Sequence, residues 1–121
     1  MRLEWLDGEF CVCRWGKERA FTQGGEFWFW ARTDVECSLL CPAESAPEDA
    51  EQREDGWKGF RIAGQLDFSL IGILAGIAGI LAEAGISIFA VSTFDTDYIF
   101  LKRENAERAE NILRKSGYQF A

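Results

Sequence analysis

Four cysteines, Cys11, Cys13, Cys37 and Cys41, carry the most reactive side chains of this chain, and it contains no histidine. Without an imidazole it cannot build a Ser/His/Asp triad, a Cys/His dyad, an HExxH zinc site or a Cys2His2 finger. Four thiolates could still complete a tetrahedral zinc shell. Both cysteine pairs, however, lie in runs that read as strands, Phe10-Cys11-Val12-Cys13 and Cys37-Ser38-Leu39-Leu40-Cys41. On a strand the members of each pair share a face but stand roughly 7 and 13 Å apart, too far for one ion without a bulge. No neighbouring base or cation cluster marks an activated thiolate. The cysteines therefore read as small buried apolar residues in a reducing compartment, with a metal site and a disulfide as the alternatives and no metal expected.

Two other runs could carry chemistry. Phe27-Trp28-Phe29-Trp30 would place two aromatics on each face of a strand. Base-stacking platforms need flanking lysines and arginines, and only Arg32 is near, so a strand covered on both faces is the expectation. Residues 44–56 hold six acids (Glu44, Glu48, Asp49, Glu51, Glu54, Asp55) against Arg53, which is −5 of the net −7. With Pro42 and Pro47 beside it, this reads as a solvated connector with one helical turn. The overall negative charge, with no basic patch, argues against nucleic acid or an anionic membrane surface as a partner. The first nine residues carry three acids and no apolar core of a leader peptide, which points to a cytoplasmic protein. Residues 68–82 are uncharged, but the run is cut by Glu83 and is shorter than the roughly 20 apolar residues of a membrane span. A buried helix followed by a buried strand is expected instead.

The elements that must position these residues fall into two groups. Before the connector, strands are predicted over 9–15, 27–32 and 35–41. After it come a strand over 57–63, a helix from about Ser69 to Ala84 capped by Gly85, strands over 86–92 and 98–102, a helix from about Glu104 to Ser116 capped by Gly117, and a short strand over 118–121. The order β-α-β-β-α-β is the ferredoxin-like α+β arrangement, an antiparallel sheet with helices on one face. The first helix is apolar all round: Ile71, Leu74, Ala78 and Leu81 make one stripe, Ile73, Ile77 and Ile80 another. Gly72, Gly76 and Gly79 would let another backbone approach, so this unit is expected to pack beside a second body.

The block Leu66 to Ala75, then Leu81 to Ile88, then Val91 to Ile99 resembles an ACT domain. More narrowly it is similar to the small bacterial tandem-ACT proteins related to the regulatory region of aspartate kinases and to the CASTOR arginine sensors. Its most specific part is the segment Ser92-Thr93-Phe94-Asp95-Thr96-Asp97-Tyr98 after a strand. The resemblance implies an abbreviated ACT-like N-terminal half over 1–43, a connector over 44–56 and an ACT domain over 57–121. It further implies a non-catalytic regulatory protein, without a cofactor, that binds an amino acid at the interface between ACT units and pairs as a homodimer.

Matched residue by residue, the resemblance assigns Asp67, Phe68, Ser69, Leu70, Ile71 and Gly72 to the loop that closes on the ligand, and Ser92, Thr93, Phe94, Asp95, Thr96 and Asp97 to the segment facing it. The physical reading agrees. A helix opening near Ser69 would offer N–H groups and a positive dipole end to a carboxylate, and the facing turn offers hydroxyls and carboxylates to an ammonium group. Each residue also has a plain structural role open to it: a helix cap for Asp67 or Ser69, a turn for Asp95, core for Phe68 and Phe94. Many ACT domains enter the helix on Pro-Gly, where this chain has Leu70-Ile71-Gly72. The competing functions are a dimerisation module that kept the ACT packing without a ligand and, weighed least for want of a base or cation cluster, an enzyme or thiol-redox protein using the four cysteines.

Overall fold

The computed structural model describes residues 1–64 and 71–121. The chain divides into two compact units, one of residues 1–7 with 58–121 and one of residues 8–57. Strand β5 (Gln52–Ile62) contributes residues to both.

The larger unit holds β1 (Arg2–Trp5), the last part of β5, α1 (Ile73–Glu83), β6 (Ile88–Ser92), β7 (Asp97–Lys102), α2 (Ala106–Lys115) and β8 (Gln119–Phe120). Its strands pair in the order β6-β7-β5-β1-β8. Strand β1, which the sequence pattern does not signal, is antiparallel to β5 (Leu3↔Ile62, Trp5↔Phe60) and parallel to β8 (Leu3↔Phe120). The first seven residues thus belong with the C-terminal unit rather than with an N-terminal half. Alternation on β1 and β5 sends Leu3, Trp5, Phe60 and Ile62 to one face, where they pack with Ile99 and Leu101 of β7, Ile77 and Leu81 of α1, and Ala109 and Leu113 of α2. Both helices therefore cover the same face of the sheet, the ferredoxin-like α+β fold.

Two helix expectations change. Helix α1 begins at Ile73, not near Ser69, because Gly72 at its N-cap is left-handed (φ 81°) and cannot continue a helix. The two apolar stripes of α1 also merge into one broad face: Ile77 and Leu81 are buried, and Ile73, Leu74 and Ile80 pack against the same core. What α1 presents outward is Ala75, Gly76, Gly79, Ala82 and the charged Glu83. Ile71 lies before the helix and is 93% exposed.

The smaller unit contains β2 (Phe10–Trp15), β3 (Phe29–Arg32), β4 (Cys37–Pro42) and the start of β5, paired in the order β3-β4-β2-β5. The acidic stretch has its single helical turn at Ala43–Ser45, but residues 52–56 are strand, so they pair with β2 instead of forming a connector. The aromatic run is covered only in part within the unit, for Trp28 and the Phe21 ring beside it stay 36% and 38% exposed. Phe27 meets Phe10 and Phe29 at 5.4 and 5.3 Å, while Trp28 and Trp30 meet Phe21 at 4.4 and 5.3 Å. No helix among the described residues is long and apolar enough to cross a membrane.

Candidate functional site

The turn between β6 and β7 is built by its own side chains. Ser92 and Asp97 face each other across the hairpin, and the Ser92 hydroxyl donates to Asp97 Oδ1 at 2.6 Å. Thr93 Oγ1 donates to the Thr96 carbonyl at 3.0 Å and accepts from the Thr96 amide at 3.3 Å. Thr96, buried, donates its hydroxyl to the Ile62 carbonyl at 2.8 Å and so fastens the turn to the end of β5. Three residues of the segment are exposed: Ser92, Phe94 at 75%, and Asp95.

Of the six residues assigned to the closing loop, Asp67, Phe68, Ser69 and Leu70 lie outside the described residues. Ile71 and Gly72 are exposed ahead of α1, and the Gly72 carbonyl accepts the Gly76 amide at 2.8 Å. The first turn of α1 thus starts three to four residues later than the carboxylate-binding expectation placed it.

Asp95 and Thr96 line a cavity of about 300 Å³ together with Glu4, Arg61, Ile62, Gly64 and Tyr98. Glu4 and Arg61 are opposite partners on β1 and β5, on the face turned away from the helices. Arg61 donates Nε to Glu4 Oε1 at 2.8 Å, and its Nη2 lies 2.7 Å from the same oxygen. The Glu4 carboxylate first, and the Tyr98 hydroxyl second, hold the guanidinium proton above its ordinary pKa. The cavity thus joins a cation, two carboxylates and a phenol beside the segment that leads to residues 65–70. Sequence reasoning missed Glu4, Arg61 and Tyr98. Arg61 and Tyr98 do break the apolar composition of their strands at alternate positions, whereas Glu4 joins them only through the long-range pairing of β1.

The smaller unit has a cavity of about 420 Å³ lined by Trp15, Gly16, Lys17, Glu18, Arg19, Asp49 and Glu51. Arg19 there is already committed: it lies 4.3 Å over the Trp15 ring and bonds both Asp49 oxygens at 2.9 and 3.2 Å. The cavity near Asp95 is the better ligand candidate because it adjoins the assigned segment.

The cysteines are all buried. Within-strand spacing gives an incomplete picture of them, because the β2–β4 register sets Cys41 directly opposite Cys11. Cys11 Sγ lies 3.8 Å from Cys41 Sγ and 3.9 Å from Cys13 Sγ. Cys37 stands apart, its thiol directed at the Lys17 and Arg19 carbonyls. A cation is near after all: Arg53 pairs with Cys13 across β2 and β5, but it is a minor influence, since the hydrogen bond to Cys41 and then burial raise Cys11, burial raises Cys13, and the hydrogen bond to Cys11 lowers Cys41. Among the described residues no group of three Cys, Asp or Glu is arranged to hold a metal ion.

A sheet covered on one face by two helices defines a ferredoxin-like α+β domain. The family model described as the ACT domain matches residues 52–115, and the chain belongs to the ACT-domain family. Among solved structures, a protein from Agobacterium tumefaciens is similar at 30% identity and a TM-score of 0.91, over 99% of this chain and 91% of that one. A Vibrio cholerae protein, described as of unknown function and possibly in transport, aligns at 22% identity and a TM-score of 0.70, over 92% and 85%. Aspartokinase alpha and beta subunits share the fold at 15% identity and a TM-score of 0.66, over 95% and 96%. A search of curated proteins finds no match.

Proposed function

We propose that this chain is a non-catalytic cytoplasmic regulatory protein that binds an amino acid against its ACT unit, at an interface completed by a second copy of the chain. The observation that carries the reading is Asp95 on the lip of the Arg61 cavity, beside a phenyl ring left 75% exposed at Phe94. A free amino acid needs a cation for its carboxylate and an anion for its ammonium group; Asp95 would offer the anion, and Arg61, already paired with Glu4 through Nε and Nη2, would have to share its guanidinium between Glu4 and the ligand carboxylate. Phe94, Ile71 and the Ala/Gly face of α1 offer apolar surface for the second copy. Binding would regulate by favouring one packing of that interface over another. In this reading Asp67, Phe68, Ser69 and Leu70 close the site, and the smaller unit is an abbreviated ACT-like body of strands without helices.

One observation favours the ligand-free dimerisation module: the side chains of Ser92, Thr93 and Asp97 spend polar atoms on the turn itself, and that of Thr96 on the Ile62 carbonyl. The two readings part on thermal stability. A ligand at a hundred times its Kd stabilises by about 2.7 kcal/mol, whereas the structural module shows no shift with any amino acid. The double substitution Asp67→Ala with Asp95→Ala removes the shift in the first reading. In the second it leaves dimer and stability within about 1 kcal/mol of the parent.

A further inference from the structure

The thiol cluster of the smaller unit has a chemistry that amino-acid binding does not use. Cys11 and Cys13 alternate onto one face of β2, and Cys41 meets Cys11 across the β2–β4 ladder with 3.8 Å between the sulfurs. The Ala43 amide donates to the Glu9 carbonyl at 2.9 Å, two residues beyond that pair. Bonded pairs in an antiparallel ladder recur at every second residue, so Cys11 and Cys41 occupy a bonded pair, with Cα atoms about 5.5 Å apart. That separation lies inside the roughly 4.4–6.8 Å window in which a disulfide closes. Cys11 and Cys13, on one strand, stand about 7 Å apart at Cα and fall outside it.

The thiols are fully buried in a cluster with Trp15 and Leu39, against which Trp30 and three small side chains, Ala43, Ala46 and Ala50 from the helical turn and the segment after it, are packed. Arg53 pins the turn by donating to the Ala43 carbonyl at 3.1 Å. One proton leaves the Cys11–Cys41 pair more readily because the remaining thiol hydrogen-bonds the thiolate, which lowers Cys41. The second proton is then held on Cys11 by its hydrogen bond to Cys41 first, then by burial and by repulsion from Cys41. Burial pushes Cys13 up to about 11, so it stays a thiol.

We propose that Cys11 and Cys41 form a reversible oxidation site, a buried dithiol that a hydroperoxide converts to a cross-strand disulfide. The Cys41 thiolate attacks one peroxide oxygen. The O–O bond breaks, the departing hydroxide takes a proton to become water, and Cys41 is left as a sulfenic acid. The Cys11 sulfur then attacks Cys41 Sγ. The S–S bond forms, the S–O bond breaks, and the hydroxide leaves with the Cys11 proton as a second water. The two thiols lose two electrons and the peroxide gains them. A dithiol reductant reverses the closure by exchange.

The test treats the whole chain with hydrogen peroxide, quenches it, alkylates the denatured protein and maps it by mass spectrometry. The expected product has lost the mass of two hydrogens, carries a Cys11–Cys41 cross-link, leaves Cys13 and Cys37 alkylated, and returns to four thiols with dithiothreitol. Cys13→Ser should form the same cross-link, while Cys11→Ser and Cys41→Ser should form none. The mapping on the unaltered chain decides the matter even where a variant fails to fold. Recovery of four free thiols after peroxide, a cross-link through Cys13 or Cys37, or sulfinic acid without a cross-link would each overturn the assignment.

Discussion

Thr96 and Ile62 are joined by a hydrogen bond of 2.8 Å, from the hydroxyl of the β6–β7 turn to the last carbonyl of β5. This bond holds the turn carrying Asp95 against the strand end from which the chain runs into residues 65–70. Thr96 is buried, so its loss exposes an unsatisfied carbonyl to an apolar replacement. Thr96→Val should cost about 1–3 kcal/mol in denaturant unfolding, with Thr96→Ser close to the parent. A Val variant as stable as the parent would show that the bond contributes nothing.

Gly59 makes room for a ring. A side chain there would stand inside the Phe100 ring, which stacks on Phe89 at 5.1 Å between centroids. Gly59→Ala should therefore destabilise by about 1–3 kcal/mol through overpacking, and Gly59→Ala with Phe100→Leu should recover part of that loss. Thermal unfolding of the three variants checks the order.

Glu110 accepts from the Trp5 indole at 2.6 Å and from Arg114 at 2.9 Å, and these two bonds, in that order, lower its pKa below the ordinary carboxylate value. A carboxyl whose folded pKa is depressed stabilises the fold above its unfolded pKa, about 4.3, and that contribution fades as pH falls through the folded value. Urea unfolding between neutral pH and pH 3 should show the parent losing more stability than Glu110→Gln. Equal slopes would remove Glu110 from the acid sensitivity.

Much of this fold was legible in the sequence because its signals are local. The capping glycines Gly85 and Gly117, the alternation around Ile99 and Leu101, and the period of α2 can each be read within a dozen residues. The ends of elements moved where one backbone conformation decided them, as at Gly72. Strand β1 escaped because Leu3 and Trp5 alternate over only four residues and find their partners more than fifty positions away. The candidate site divides in the same way. Asp95 and Thr96 followed from a motif, whereas Glu4 joined Arg61 and Tyr98 only through that distant pairing. The thiol cluster likewise depended on the β2–β4 register.

The outer face of α1 tests the second copy of the chain. A Cβ at Gly79 meets nothing within 4 Å, so the single chain has room for a larger residue there. Gly79→Lys, which sets an ammonium group four residues before Glu83, should leave unfolding of the monomer unchanged or gain a few tenths of a kcal/mol, while sedimentation velocity shows the proposed dimer weakened at least about tenfold, which is 1.4 kcal/mol. A dimer indifferent to this change would place the interface elsewhere.

The most direct measurement is a calorimetric titration of each of the twenty amino acids into the whole chain, repeated for the winning ligand with Asp95→Ala. The account predicts saturable binding of one or a few amino acids and a loss of at least about tenfold in affinity on removing the Asp95 carboxylate, matching the value of a charge-assisted contact. Silence from all twenty, or binding unmoved by Asp95→Ala, would contradict it.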